Sequence, residues 1–228
     1  MNLGRLLART AAEIGTYDVT ADATLLKEIA NEAVRDFLLE TGVKVVTATA
    51  TLTANVWEYT LDASILTIKG AYVDGANDQR TEQVSPETLR QMQMASASTA
   101  TGTYLYYALE GNDLLMVYPT PSTSATLKLY VVQKPTEMSS DSHDPSSATY
   151  GGIPTEHHPA LLAYMYWKIG SADDDSSSAQ GERYREEYER LVRRCRRATN
   201  TKGNVRLPRA VVGSGRRLLR HDPSQDIW

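Results

Sequence analysis

Apolar residues near the start of the chain fall at helical spacing. Leu3, Leu6, Leu7 and Ile14 share one face, and Leu26, Ile29, Ala33 and Phe37 share another. Two helices are predicted, the second capped by Asp22 and ended by Gly42, which tolerates a left-handed backbone. From Val43 the period falls to two. Thr47, Thr49, Thr51 and Thr53 alternate with Ala48, Ala50, Leu52 and Ala54, the pattern of a strand with unlike faces. Strands are also predicted over 56–61, 65–73, 104–110, 114–118 and 125–132, with a loop at 75–80 and a tight hairpin turn at Gly111-Asn112-Asp113. Ser85-Pro86-Glu87 supplies a cap, a first-turn proline and an early acid for a short helix over 86–94, and small residues at 95–102 predict a loop. Helical spacing returns in Leu161, Leu162, Met165 and Ile169 over 156–170, where Pro159 is tolerable in the first turn. It returns again in Tyr184, Tyr188, Leu191, Val192 and Cys195 over 175–198.

Neither helix pair has an apolar stripe long enough to stand alone, so the predicted class is α+β: a helical bundle built from both ends of the chain, with an inserted antiparallel β-rich region. Its parts are helices over 1–42, the β-rich insertion over 43–133, an exposed serine- and proline-containing linker over 134–152, helices over 153–198, and an extended basic tail over 199–228. The 228 residues are 41% hydrophobic and 23% charged with a mean hydropathy of -0.39, which describes a globular chain without an apolar run of membrane-spanning length. The first fifteen residues lack the h-region of a secretory signal, so synthesis inside a cell is expected. Cys195, the one cysteine, excludes an intrachain disulfide framework and a cysteine-built zinc site.

Charge is divided along the chain. Residues 1–181 hold 11 Lys and Arg against 22 Asp and Glu, whereas residues 182–228 hold 13 against 6. From Arg190 to Arg220 there are eleven basic residues and no acid, a block that requires solvent or an anionic partner.

Catalytic signatures are missing: no phosphate-binding glycine loop, dinucleotide fingerprint, nucleophile elbow or H-E-x-x-H helix occurs, so neither a catalytic site nor a cofactor is predicted. His157 and His158 are adjacent and leave a helix in different directions, which makes them polar residues at a helix start rather than a metal pair. Asp173-Asp174-Asp175 precedes a helix, where acids oppose the positive end of the dipole, and it lacks the spacing and turn glycine of a calcium loop. Tyr184 and Tyr188 fall on the core face. With thirteen tyrosines against one phenylalanine, Tyr104, Tyr106, Tyr107, Tyr118 and Tyr130 suit either a subunit interface or an ordinary half-buried sheet. Arg190, Arg193, Arg194 and Arg197 recur at i, i+3, i+4 and i+7 and gather on one helical face. That face fits a phosphate or carboxylate surface, or simply cations at the negative end of a helix. The dipole does not extend to Arg206, Arg209, Arg216, Arg217, Arg220 and the terminal Trp228, where partner binding is favoured.

The order of parts resembles the head-to-tail adaptor family of tailed bacteriophages. The resemblance rests on Leu25-Leu26-Lys27-Glu28-Ile29-Ala30-Asn31-Glu32-Ala33, on Trp57-Glu58-Tyr59-Thr60-Leu61 leading to Ile68-Lys69-Gly70-Ala71-Tyr72-Val73, and on Tyr106-Tyr107-Ala108-Leu109-Glu110-Gly111. Val117-Tyr118-Pro119-Thr120-Pro121 and Ile153-Pro154-Thr155-Glu156-His157-His158-Pro159-Ala160-Leu161-Leu162-Ala163-Tyr164 extend it. The resemblance implies a structural virion protein in the neck, assembled in the host bacterial cytoplasm as a dodecameric ring. It implies docking under the portal protein, extension of the channel for double-stranded DNA, and attachment of tail or neck proteins, with a C-terminal tail reaching to the portal and no membrane. An acidic body and a basic arm are the unlike faces that closure of a ring requires. The alternative reading is non-sequence-specific DNA binding through the arginine-rich segment.

Overall fold

The structure is a computed structural model that describes residues 1–15, 22–73, 80–95, 99–100, 106–111, 113–171 and 178–203. Two helices open it, α1 (Leu3–Ile14) and α2 (Ala23–Thr41). The side-chain oxygen of Asn2 accepts the Arg5 N–H at 3.1 Å to start α1, and Asp22 starts α2 through its carbonyl, which accepts from Leu26. Gly15 and Gly42 end them in the left-handed conformation, at φ 70° and 56°. The β-region follows as β1 (Val46–Leu52), β2 (Glu58–Thr60), β3 (Ile65–Val73) and β4 (Arg80–Gln83), then the helix α3 (Pro86–Ala95), then β5 (Thr99–Ala100), β6 (Tyr106–Glu110), β7 (Leu114–Tyr118), β8 (Thr120–Pro121) and β9 (Ala125–Gln133). Ser85 caps α3 as expected, its Oγ accepting the Thr88 N–H at 3.1 Å. The chain ends in α4 (His158–Gly170), with Pro159 in its first turn, and α5 (Ser178–Gly203).

The class is α+β, and the sheet is mostly antiparallel. Seven strands lie in the order β1-β9-β3-β4-β6-β7-β2, and only β4 and β6 run parallel among them. β1 pairs with β9 along its whole length, from Val46 opposite Val131 to Leu52 opposite Ala125. Leu127, Leu129 and Val131 of β9 meet Ile68, Ala71 and Val73 of β3 and Leu115 and Val117 of β7 in one apolar core. On the other face of the β6–β7 hairpin, Leu89 of α3 packs on Ala108 and Met116. Val132, one residue from Val131 and therefore on the opposite side of the strand, joins the helical core instead, so β9 is the seam between the two halves.

The helical core draws on both ends of the chain. Leu3, Leu6 and Leu7 of α1 and Leu26, Ala33 and Phe37 of α2 pack with Leu161, Met165 and Ile169 of α4 and Tyr188, Val192 and Cys195 of α5.

Three expectations change. The segment 134–152, expected as an exposed linker, is fastened to the helices: Met138 is only 2% exposed, and its N–H and carbonyl bond the Asn31 side chain. The carbonyls of His143 and Asp141 accept the first N–H groups of α1, those of Leu3 and Gly4, and the His143 ring stacks on Tyr150 at 4.2 Å. The segment is held by its backbone groups, by the buried Met138 and by Asp144, which pairs with the Met1 ammonium. Residues 199–203, expected as the start of an extended tail, are the last residues of α5, because Thr199-Asn200-Thr201-Lys202 contains no proline or glycine to stop the helix. β4 and the two-residue pair of β5 with β8 are additional. Tyr104, the loop 75–80 apart from Arg80, Asn112 of the hairpin turn, the Asp173-Asp174-Asp175 run and the arm beyond Gly203 lie outside the described residues.

Candidate functional site

α2 carries Glu28, Glu32, Asp36 and Glu40 at intervals of four, one acid per turn on one face. The last three line a groove of 540 Å³ shared with α4 and α5. Each meets a donor from another helix. Tyr164 Oη donates to Glu32 at 2.8 Å, and Lys168 Nζ, one turn further along α4, donates to the same oxygen at 2.9 Å. Tyr188 Oη donates to Asp36 at 2.5 Å. Arg196 donates to both the carboxylate and the carbonyl of Glu40, near the C-terminal end of α2, where free carbonyls favour a cation. Trp167 forms one wall, with Lys168 and Arg185 over its ring at 5.4 and 5.7 Å.

Burial alone would raise the Glu32 carboxyl, but the bonds from Lys168 and Tyr164 outweigh it and hold Glu32 below the ordinary range. Burial, reinforced by the neighbouring carboxylates, pushes the Tyr164 and Tyr188 phenols far above theirs, so both remain donors at every physiological pH. The chemistry of this groove is adhesive: its acids are already engaged, and they fasten α2 to α4 and α5.

The arginines predicted as one face are brought together. Arg190, Arg193, Arg194 and Arg197 are all exposed, and they occupy the arc of α5 opposite the buried Tyr188, Val192 and Cys195. Arg190 bonds Glu187 within the helix at 2.6 Å, and Arg193 also borders the groove. Arg196, which the periodicity did not single out, makes the cross-helix bond. The four-residue spacing of acids on α2 is the signal that could have found its partner. Arg206, Arg209, Arg216, Arg217, Arg220 and Trp228 lie outside the described residues.

The tyrosines separate. Tyr107 is 2% exposed within the sheet core, so it is not available to another subunit; its position on β6 points it to the same side as Leu109, into the apolar cluster. Tyr106 and Tyr118 face each other across the hairpin and are half-buried. Tyr130 is 39% exposed and packs edge-on against Tyr72 at 5.1 Å, on the outer face where Thr47, Thr49 and Thr51 also stand. Of the described candidates, Tyr130 is the one that presents its ring to solvent.

The two histidines also part company. His157 packs near the Phe37 ring at 5.9 Å, while His158, expected as a polar helix start, is 1% exposed. Its Nε2–H donates to the Ile153 carbonyl at 3.1 Å, which leaves Nδ1 to accept from the Met1 ammonium at 2.9 Å. Asp144 takes the same ammonium at 3.3 Å. Burial first, then the ammonium charge, lower the His158 pKa. Among the described residues, no group of three or more His, Cys, Asp or Glu is placed to hold a metal ion, and no helix is long and apolar enough to cross a membrane.

The model of one family, SU10 adaptor protein, matches residues 1–210. The chain belongs to the SU10 adaptor family. The match covers both helical ends, the whole sheet and the first part of the basic arm, which agrees with a core that cannot be divided between its ends. No curated protein matches the chain. Membership makes it a bacteriophage protein of the head-to-tail adaptor type, with a structural role in virion assembly at the neck. Oligomerisation and contacts with portal and tail proteins are what such an adaptor implies.

Proposed function

We propose that twelve copies of this chain form a ring beneath the portal, prolong the DNA channel and receive the tail. The helical ends act as a bundle that carries the sheet, and the arginine face of α5 together with the arm beyond it docks on the portal. The observation that carries this reading is the separation of charge on α5: its inner side is committed to Asp36 and Glu40, while its outer side presents Arg190, Arg193, Arg194 and Arg197 to solvent. Such a face engages carboxylates with bidentate geometry without disturbing the core behind it.

Electron micrographs of the purified chain mixed with portal should show a ring on the portal, and reversing the four arginines to glutamate should remove it. Charge reversal is the appropriate variant because deleting α5 from residue 190 would also remove the buried Val192 and Cys195. Portal particles that stay bare with the unaltered chain would overturn the reading. The same exposed face supports the second reading, DNA binding without sequence preference. Its signature is retention of duplex DNA by the isolated chain that weakens steeply with salt and is lost in the reversed variant.

A further inference from the structure

The outer side of α2 carries a seam of its own. Leu25, Glu28, Glu32, Arg35 and Leu39 recur at alternating intervals of three and four, which aligns them in one line along the helix. The line lies opposite the buried Leu26, Ala30, Ala33 and Phe37. Polar residues are the rule on such a face, yet Leu25 is 45% exposed and Leu39 37%. The two leucines stand about 21 Å apart along the helix. Between them, Glu28 and Arg35 are exposed and make no ion pair among the described residues, whereas Lys27 and Glu40 of the same helix meet Asp141 and Arg196. A groove of 340 Å³ runs beside the seam, with Leu25, Glu28, Glu32 and Arg35 on one wall and residues 134–137 on the other, where Lys134 is taken by Glu137 at 3.8 Å.

We propose that this seam binds the same seam of a second copy, the two helices running antiparallel about a twofold axis at Glu32. The order of residues carries the inference. Antiparallel alignment sets Leu25 against the partner's Leu39 and Glu28 against the partner's Arg35, and the twofold axis makes each contact twice. Glu32 alone meets its own counterpart, and Lys168 already offsets its charge at 2.9 Å. Parallel alignment would set Glu28 on Glu28 and Arg35 on Arg35, and the arginine arc of α5 facing its own copy would set cation on cation. Charge and apolar area are therefore complementary in one orientation of one face.

Such a contact uses the same surface on both copies and closes at two. Neighbours in a ring of twelve differ by a rotation of about 30°, too little to set identical helices antiparallel, so the pair is separate from the ring and stands without it. One helix pair covers far less than the roughly 1,600 Å² of a standard stable interface, which makes the association weak and reversible. The arginine arc of α5 takes no part in it.

Sedimentation of the full chain over a concentration series tests the seam. The unaltered chain should show a monomer–dimer equilibrium. Arg35→Glu, which sets Glu28 against an acid, should weaken it about tenfold, and Glu28→Arg combined with Arg35→Glu should restore it, which excludes a folding defect as the cause of the loss. A chain that stays monomeric to ~1 mM, or a dimer indifferent to Arg35→Glu, would overturn the proposal. Cysteines test the orientation. Leu25→Cys combined with Leu39→Cys should give covalent pairs and nothing larger on mild oxidation, since the two positions are too far apart to join within one chain and the native Cys195 is buried. Neither substitution alone should link. A ladder of longer species would mean a head-to-tail contact, and linkage through Leu25→Cys alone a parallel one; either rejects the twofold seam.

Discussion

The two halves of this protein, which meet along β9, solve opposite problems. The helical half closes on itself: Phe37 and its neighbours are sealed from both ends of the chain, and its polar groups are fastened by Tyr164 and Lys168 to Glu32, Tyr188 to Asp36 and Arg196 to Glu40. The sheet half is left open. Among the described residues no strand pairs with the outer edge of β1, a threonine row faces solvent, and Tyr130 stands exposed beside Tyr72. A protein that must fold as a single chain and then assemble needs both kinds of surface, and here they are assigned to different elements rather than mixed.

The contrast can be broken or sharpened by substitution. Phe37→Ala empties the centre of the closed half and should lower the free energy of unfolding by about 3–5 kcal/mol in urea titration; a loss below ~1 kcal/mol would mean that this half is not the sealed one. Tyr188→Phe keeps the ring but removes the donor to Asp36, and should cost about 1–2 kcal/mol with little change in the slope of the transition.

The third test is pH. The folded pKa of His158 lies below its ordinary value near 6.5, so the unfolded chain takes up the proton first. The stability held by the neutral ring is therefore complete above pH 6.5 and is lost as pH falls below it. Urea midpoints should decline from pH 7.5 to pH 5, and His158→Gln should flatten that decline. The smallest effect belongs to the open half. Thr47→Lys on the outer face of β1 should change stability by less than about 0.5 kcal/mol, and a larger loss would show that the face is covered in the isolated chain.

Much of this division was legible in the residues. The threonine-alanine alternation predicted β1 and its two faces, and Ser85-Pro86 and Gly42 marked helix ends that the structure confirms by bond and by φ. What escaped depends on partners distant in sequence. β4 is Arg-Thr-Glu-Gln, without apolar alternation, and is a strand because two residues pair on each side. His158 reads as polar, yet burial follows from the Ile153 carbonyl and the amino terminus that enclose it. The segment 134–152 reads as an exposed linker because most of its anchors are backbone groups, which every sequence has. For the arginine face, periodicity located the exposed arc correctly, but the functional weight of Arg196 required seeing α2 beside α5.

The joint ownership of the helical core has a consequence for biosynthesis. α1 and α2 leave the ribosome first, but Leu161, Met165, Tyr188 and Val192, which cover them, are translated more than a hundred residues later. Until then the nascent chain displays half a core, and a prematurely terminated product keeps displaying it. A chain that stops before α4 and α5 therefore cannot bury Leu3, Leu26 and Phe37 in the core that they form with those helices.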